Sequence, residues 1–343
     1  SVAAALRVEQ GYEVIGVMMR LWAESAAQGQ DGGGNRCCAP DAVDDARRVA
    51  AQLGIPFYLV NYEAEFKACV VDYFVAEYSR GRTPNPCLAC NRHIRFGRLM
   101  RQAQALDAKY LATGHYAQVD GDGNGYRLRM GTDPQKDQSY VLYMLGQEEL
   151  DRVLFPVGGY AKPQVREMAR RRGLPVASKD DSMELCFVTD DDYRRFLREH
   201  APQAIRPGPI LDSSGREIGR HQGLPFYTVG QRRGLGIAAP EALYVSRLDV
   251  EANALVVGPV RELGRRSLLA QEVHYVRGRA PEAAQRVQVK IRYKARLADA
   301  TWKPEGRTTA RVEFDAPLRD ITPGQAAVAY QGDEVLGGGI ISR

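Results

Sequence analysis

The first 115 residues alternate short apolar runs with amphipathic ones, and this alternation restricts the fold more than any other feature. Ser1–Gln10 spaces small and apolar residues at helical intervals and stops at Gly11, a residue that ends helices without strain. Tyr12–Met19 reads as a buried strand and is followed by a Gly-rich loop around Asp31–Asn35. Asp41–Leu53 reads as a helix with Val43, Ala46, Val49, Ala50 and Leu53 on one face. Ile55–Asn61 is a predicted strand, Glu63–Ser79 a helix, His93–Leu106 a helix and Lys109–Thr113 a strand. Strand and helix in this order give an α/β domain, a parallel sheet covered by helices. Such sheets bind ligands beyond the carboxyl ends of their strands, often at a helix N-terminus. A doubly wound sheet would place a strand and a phosphate-binding loop ahead of the first helix. The expectation is therefore a chain truncated at its N-terminus.

Beyond about residue 200 the helical periodicity fades and turn signals multiply, at Pro207-Gly208, Ser213-Ser214-Gly215, Gly223, Gly234 and Gly236. Val287–Tyr293, Thr309–Phe314 and Ala326–Tyr330 read as strands, so a small linking domain followed by a β-barrel is expected. The 343 residues exceed one ordinary α/β domain. The boundaries are placed near residues 204 and 268, giving domains 1–204, 205–268 and 269–343. No stretch approaches the ~20 apolar residues that span a bilayer, and Ser1 opens no signal-peptide pattern. These features argue against a membrane-spanning helix and a membrane partner, and the cysteine spacings described next place the protein in the cytoplasm. The formal net charge of +5, mostly from arginine, permits a polyanionic partner without demanding one.

Six cysteines are present: Cys37, Cys38, Cys69, Cys87, Cys90 and Cys186. A chain this long needs no disulfide staples, and a CxxC spacing fits thiol chemistry or a metal site in a reducing compartment. Arg82–Asn91 reads RTPNPCLACN, in which two prolines hold off regular helix until past Pro86. A helix from His93 would start just after Cys90. A thiol at a helix N-terminus has a lowered pKa, which makes Cys90 a candidate nucleophile. Half of a structural zinc site is the competing reading, and it needs two more ligands. Cys186 lies in Asp181–Val188, DSMELCFV, and by itself resembles a buried small hydrophobe. Were the fold to bring it to Cys90, the two thiols could pass a sulfur as persulfide and close a disulfide. Cys87, Cys90 and Cys186 could instead hold an iron–sulfur cluster with one iron open. Cys69, mid-helix, is expected in the core, and Cys37-Cys38 in a loop.

Other polar segments are weaker signals singly. Leu111–Tyr116, LATGHY, puts Gly114 and His115 at the end of a predicted strand, where glycine lets a nucleotide approach. Lys136–Ser139, KDQS, precedes the apolar helix expected over Tyr140–Leu145, and by itself reads as a polar loop with a helix cap. Gly230–Gly236, GQRRGLG, is a basic turn without the GxGxxG spacing, either an RNA backbone contact or a solvated loop. Arg292-Tyr293 pairs a cation with an aromatic inside a predicted strand, for base stacking or as ordinary sheet surface.

In order, RTPNPCLACN, LATGHY, KDQSYVLYML, DSMELCFV, GLPFYTVGQRRGLGI and ITPGQAAVAY with VLGGGII resemble the tRNA-specific 2-thiouridylase family over essentially the whole chain. The resemblance implies a PP-loop ATP pyrophosphatase domain (Rossmann-like, adenine nucleotide alpha hydrolase-like), a small central domain and a C-terminal β-barrel. It implies that ATP, with Mg2+, adenylates the C2 oxygen of the wobble uridine in tRNAs for Lys, Glu and Gln. Sulfur from a cysteine persulfide then replaces that oxygen and AMP leaves. The partners implied are tRNA and a persulfide sulfur donor.

Residue by residue, the resemblance makes Cys90 the nucleophile and Cys186 the persulfide carrier. Asn85, Pro86 and Cys87 would meet the target base. Met19 and Gly114 would contact ATP, and Ser1 is the last residue matching the family's SGGVDSS loop, expected just before Val2. His115, Lys136, Asp137, Gln138, Arg292, Tyr293 and Gln325 would contact tRNA. Many similar members carry Asp where this chain has Cys87, while others have Cys. The CxxC with Cys186 therefore keeps a [4Fe-4S] cluster on Cys87, Cys90 and Cys186 as an alternative. A non-catalytic tRNA-binding remnant without the ATP loop is the other.

Overall fold

The computed structural model describes residues 1–24, 40–175 and 185–342. The expected Gly-rich loop, Cys37, Cys38 and the first half of DSMELCFV lie outside the described residues. The chain forms two compact units. One comprises Ser1–Val71, Pro86–Asp192 and Asp333–Val335. The other comprises Asp72–Asn85, Tyr193–Gly332 and Leu336–Arg343.

The first unit is α/β, as its periodicity predicts. A helix over Val2–Glu9 leads to β1 (Gly16–Arg20), a helix over Pro40–Gln52 and β2 (Phe57–Asn61). β1 and β2 are parallel, with Met19 opposite Val60. A helical run from Glu63 widens to π geometry over Lys67–Val71, and half-buried Cys69 sits in that stretch rather than in the core. After the helical run that starts at Pro86 come β3 (Leu111–Ala112), β4 (Ala117–Gly121), β5 (Tyr126–Met130) and β6 (Val153–Leu154). β3 pairs in parallel with β6, whereas β4 and β5 form an antiparallel hairpin. The apolar helix expected over Tyr140–Leu145 is instead a 3-10 turn over Ser139–Leu142, all four residues buried. Val2, Val49, Tyr116, Val157, Ala169 and Leu174 form one core cluster of this unit.

In the second unit β7 (Gly208–Leu211), β8 (Glu217–His221), β9 (Leu243–Asp249) and β10 (Ala254–Pro259) form a four-stranded sheet in the order β8-β7-β10-β9. Six further strands make a barrel. They are β11 (Arg265–Tyr275), β12 (Gln285–Lys290), β13 (Ala298–Pro304), β14 (Thr309–Leu318), β15 (Ala326–Gln331) and β16 (Glu334–Ile341). Their order is β11-β14-β13-β12-β15-β16, and β16 pairs back with β11, which closes the ring and leaves no free edge.

The sequence explains the barrel's closure. Ala310, Val312 and Phe314 alternate inward along β14, the period-two signature of a strand with one buried face. Trp302 fills the interior and its Nε1–H donates to the Tyr275 hydroxyl at 3.2 Å. Gly337 lies opposite Tyr275, and a Cβ there would stand 2.3 Å from the His274 carbonyl oxygen. The run VLGGGII is thus glycine-rich because β11 and β16 approach too closely for side chains. β12 ends at Lys290, so Arg292 and Tyr293 stand in the turn after it, not inside the strand as expected.

Candidate active site

RTPNPCLACN opens a helix rather than preceding one. Pro86 takes the first helical position, where its missing N–H costs nothing and its fixed φ suits the helix. The run is α over Pro86–Ala89, π over Cys90–Leu99 and α again over Met100–Ala105. The start expected after Cys90 is therefore corrected to Pro86. Cys87 occupies the first turn and Cys90 lies one turn further in, 8% exposed. Cys87, not Cys90, is thus the thiol at the helix N-terminus.

The thiols are not acidified, contrary to expectation. Burial pushes the Cys87 thiol up to about 11, helped by its neighbour Cys90 and opposed by the Arg95 guanidinium. Cys87 keeps solvent contact at its surface, and the protein packed around its sulfur is what desolvates a thiolate. Burial raises Cys90 as well, and Arg95 again opposes it. Both thiols therefore hold their protons at neutral pH, and Arg95 supplies a field that favours either thiolate.

Arg95 is fixed in turn. Its Nη1–H donates to Asn91 Oδ1 at 2.6 Å, and the 1%-exposed Asn91 donates from Nδ2 to the Val141 carbonyl at 2.9 Å. Sequence reading missed both residues. The only signal for Asn91 was its place directly after Cys90.

Cys186 is half-buried in a turn, anchored by Phe187, which packs edge-on against Phe66 at 6.0 Å. The Lys67–Val71 segment continuing from Phe66 packs against Pro86–Ala89. Among the described residues the thiols of Cys87, Cys90 and Cys186 do not all lie within 4.8 Å of one another, so they do not close on a single tetrahedral ion.

His115 is buried between Phe96 and Phe155, with ring centroids 5.8 and 5.9 Å away, and its Nδ1 shares a 2.7 Å hydrogen bond with Thr113 Oγ1. It stands three residues past β3, beneath the surface. Burial, with Arg95 nearby, holds its pKa well below 6.5, so the ring is neutral at pH 7. The unfolded chain binds a proton there below pH 6.5 and the folded chain does not. Stability contributed by the neutral ring is complete above pH 6.5 and is lost as pH falls, by roughly 1.4 kcal/mol per pH unit. Urea unfolding at pH 7.5, 6.0 and 5.0 is expected to show this slope, and His115→Gln to flatten it. An equal slope in both proteins would refute the assignment.

KDQS divides. Asp137 is buried, and its Oδ1 accepts the Gly131 and Ser139 N–H groups at 3.1 Å each while Oδ2 accepts the Ser139 hydroxyl at 3.0 Å. That carboxylate holds the loop. Gln138 is tied to Tyr116 through both backbone and side chain, at 2.8 and 3.0 Å. Lys136 is half-buried. Asp137→Ala strands two buried N–H groups and is expected to cost about 2–4 kcal/mol in urea unfolding. Weakened tRNA binding at unchanged stability would instead show a direct contact.

Met19 lies near the carboxyl end of β1 and Gly114 just beyond β3, positions where parallel sheets take nucleotides. Gly114 is exposed and nothing stands within 4 Å of where its Cβ would be. Ser1 caps the first helix through its carbonyl, which accepts the Ala5 N–H at 3.0 Å, and makes no side-chain capping hydrogen bond.

In the second unit Thr83 donates its N–H to the Pro323 carbonyl and accepts the Gln325 side-chain amide, both at 2.9 Å. Half-buried Asn85 follows two residues later. Gln325, expected at tRNA, spends that amide on the chain itself. Arg292 is exposed and paired with Asp320 at 2.7 Å, and Tyr293 is half-buried beside it in sequence.

Comparison with known proteins agrees with this architecture. A family model described as the tRNA methyl transferase HUP domain matches residues 1–190. The tRNA methyl transferase PRC-barrel domain matches 194–259, and the aminomethyltransferase beta-barrel domain matches 265–341. A protein of Moorella thermoacetica named tRNA-specific 2-thiouridylase MnmA is 52% identical over 346 residues, covering 99% of this chain and 96% of that protein. The chain belongs to the MnmA family. An MnmA of Symbiobacterium thermophilum is 50% identical over 350 residues, covering 100% of this chain and 89% of its own. One from Roseiflexus sp. is 49% identical over 363 residues, with 100% and 96% covered. Family membership accords with the α/β architecture of the first unit and with the closed barrel of the second. Among the described residues no helix is long and apolar enough to cross a membrane.

Proposed function

We propose that this chain is a tRNA-uridine 2-sulfurtransferase acting on the wobble uridine of tRNAs for Lys, Glu and Gln in the cytoplasm, with domains divided near residues 204 and 268. The observation that carries this is the Cys87–Cys90 turn beside Arg95, in a chain about half identical along its length to proteins named for that activity.

ATP is the activating substrate, with Mg2+ on its phosphates. Met19 and Gly114 suit its adenosine end because both stand at strand ends, and the open space over Gly114 admits a ligand. The uridine C2 oxygen attacks the α-phosphorus and pyrophosphate leaves, turning a poor leaving group into AMP. Cys186, charged by a persulfide donor, offers its outer sulfur to C2, and AMP departs. Cys90 thiolate then attacks the Cys186 sulfur. The S–S bond to the base breaks, 2-thiouridine is released, and a Cys90–Cys186 disulfide remains for an external thiol reductant to reopen. Arg95 favours the thiolate that this step requires.

On this reading Asn85, Pro86 and Cys87 face the base. Lys136, Gln138, Arg292, Tyr293 and Gln325 serve the tRNA, as do His115 and Asp137 through the loops that they brace from beneath. A [4Fe-4S] cluster on Cys87, Cys90 and Cys186 is the second reading. It is favoured only by Cys87, whose thiol stands one helical turn from Cys90. The test is stoichiometry. AMP and pyrophosphate should each appear one-to-one with thiolated uridine, from protein stripped of iron. Release of ADP and phosphate would sink the adenylation step, and strict dependence on iron would favour the cluster.

A further inference from the structure

We propose that Asp320 is a positioning residue that sets Arg292 and Arg319 as a two-guanidinium fork for one phosphodiester of the substrate RNA. The inference rests on the reading of this chain as a tRNA enzyme. It gives a role to two residues that the sequence did not single out, Arg319 and Asp320, and to the basic turn GQRRGLG.

The geometry is a shared carboxylate. Arg292 Nη2 pairs with Asp320 Oδ2 at 2.7 Å, and Arg319 Nε pairs with Oδ1 at 2.7 Å. The Asp320 side chain is 12% exposed, while Arg292 and Arg319 are 51% and 45% exposed. The anion is therefore sunk beneath two accessible cations. Arg319 is further fixed over the Tyr244 ring at 5.4 Å. Thr322 Oγ1 donates to the Asp320 backbone carbonyl at 3.0 Å, which holds the turn itself.

Asp320 also abuts the basic turn. A Cβ at Gly230, which has φ +88°, would stand 2.6 Å from Asp320 Oδ1. Glycine there lets GQRRGLG lie against the carboxylate, and exposed Arg232 and Arg233 follow directly.

Two guanidiniums set side by side repel each other and would sample many rotamers. One carboxylate between them offsets the repulsion and fixes both planes, leaving a net positive charge with unspent N–H donors at the surface. Paired, oriented guanidiniums suit a phosphodiester, whose two free oxygens accept parallel N–H bonds. A carboxylate at an RNA surface is otherwise unfavourable, and its burial here limits that cost while keeping its orienting effect.

The test turns on sign. If Asp320 acted only through its charge, Asp320→Asn would remove a repulsive anion and tighten RNA binding. Positioning predicts the reverse. Anisotropy of a labelled unmodified tRNA-Lys transcript with the full gene product, from roughly 50 to 200 mM salt, should show binding weakened about fivefold. The log–log salt slope should be shallower by about 1. In an Arg292→Ala/Arg319→Ala background the same substitution should change binding less than about twofold, whereas a general structural role would weaken it there too. Where Asp320→Asn does not fold, Arg319→Ala, at an exposed side chain, must weaken binding by a similar factor. Unchanged or tighter binding in either case overturns the fork. Failure of the unsubstituted protein to bind the transcript would instead sink the tRNA reading itself.

Discussion

Cys90→Ser is expected to reduce 2-thiouridine formation by at least about a thousandfold while moving the Kd for tRNA by less than about twofold. Serine keeps the size and the helix but cannot attack a sulfur at neutral pH. Cys90 is 8% exposed, inside a helical run that Asn91 ties to Val141, so the loss cannot be ascribed to a collapsed loop. Cys186→Ser should be equally inactive for a different reason, since it cannot carry the persulfide. The two variants separate on trapping. With a persulfide donor, Cys90→Ser should retain an added sulfur on Cys186 in peptide mass mapping, and Cys186→Ser should retain none at that position. An active Cys186→Ser enzyme would refute the relay and leave Cys90 to act with another donor.

Gly158→Ala should be the most damaging single-methyl change in the first unit. A Cβ at this position would stand 1.7 Å from the Ala117 carbonyl oxygen and 2.6 Å from its carbon. Backbone cannot swing away as a flexible side chain can. Gly158 is held on both sides, donating to Phe155 O at 3.0 Å and accepting from Thr132 N at 2.9 Å. Ala117 opens β4, directly after His115 and Tyr116, and Phe155 packs on His115. The strain would therefore reach the braced loop as well as the fold. A cost of about 3 kcal/mol or more is expected, at the upper end of overpacking effects. Urea unfolding checks it. A midpoint within experimental error of the parent would show that the hairpin yields without cost.

The parts of the fold that were legible were those set by periodicity. The helix over residues 40–52 lies where the 3.6 pattern puts it, because one face, with Val49 and Ala50, must be buried. The inward alternation of β14 is equally plain. The β4–β5 hairpin was not, since AQVDG and YRLRM carry polar residues that are satisfied only by partners. Arg127 and Arg129 reach Asp120 at 2.6 and 2.8 Å, a pairing fixed by register and not by composition. Pro86 misled because proline both interrupts and begins helices, and only the following turns decide which.

The candidate site divided in the same way. Cys87, Cys90 and Cys186 stand out as candidates from spacing and resemblance. The burial of His115 and Asp137 was not legible, because each depends on a neighbour distant in sequence or beyond its own motif: Phe155 for one, Gly131 for the other. Arg95 and Asp320 were invisible as isolated charges. Their roles arise from what they face.

The most direct test of the central claim is the identity and position of the modified nucleoside. The full gene product, purified without oxygen and stripped of iron, would be given ATP, a persulfide donor and unmodified tRNA-Lys. The RNA would then be digested and mapped by mass spectrometry. The expected product is 2-thiouridine at the wobble position alone, formed only with ATP and lost in Cys90→Ser. Sulfur on another base or atom, or thiolation that survives Cys90→Ser, would contradict it.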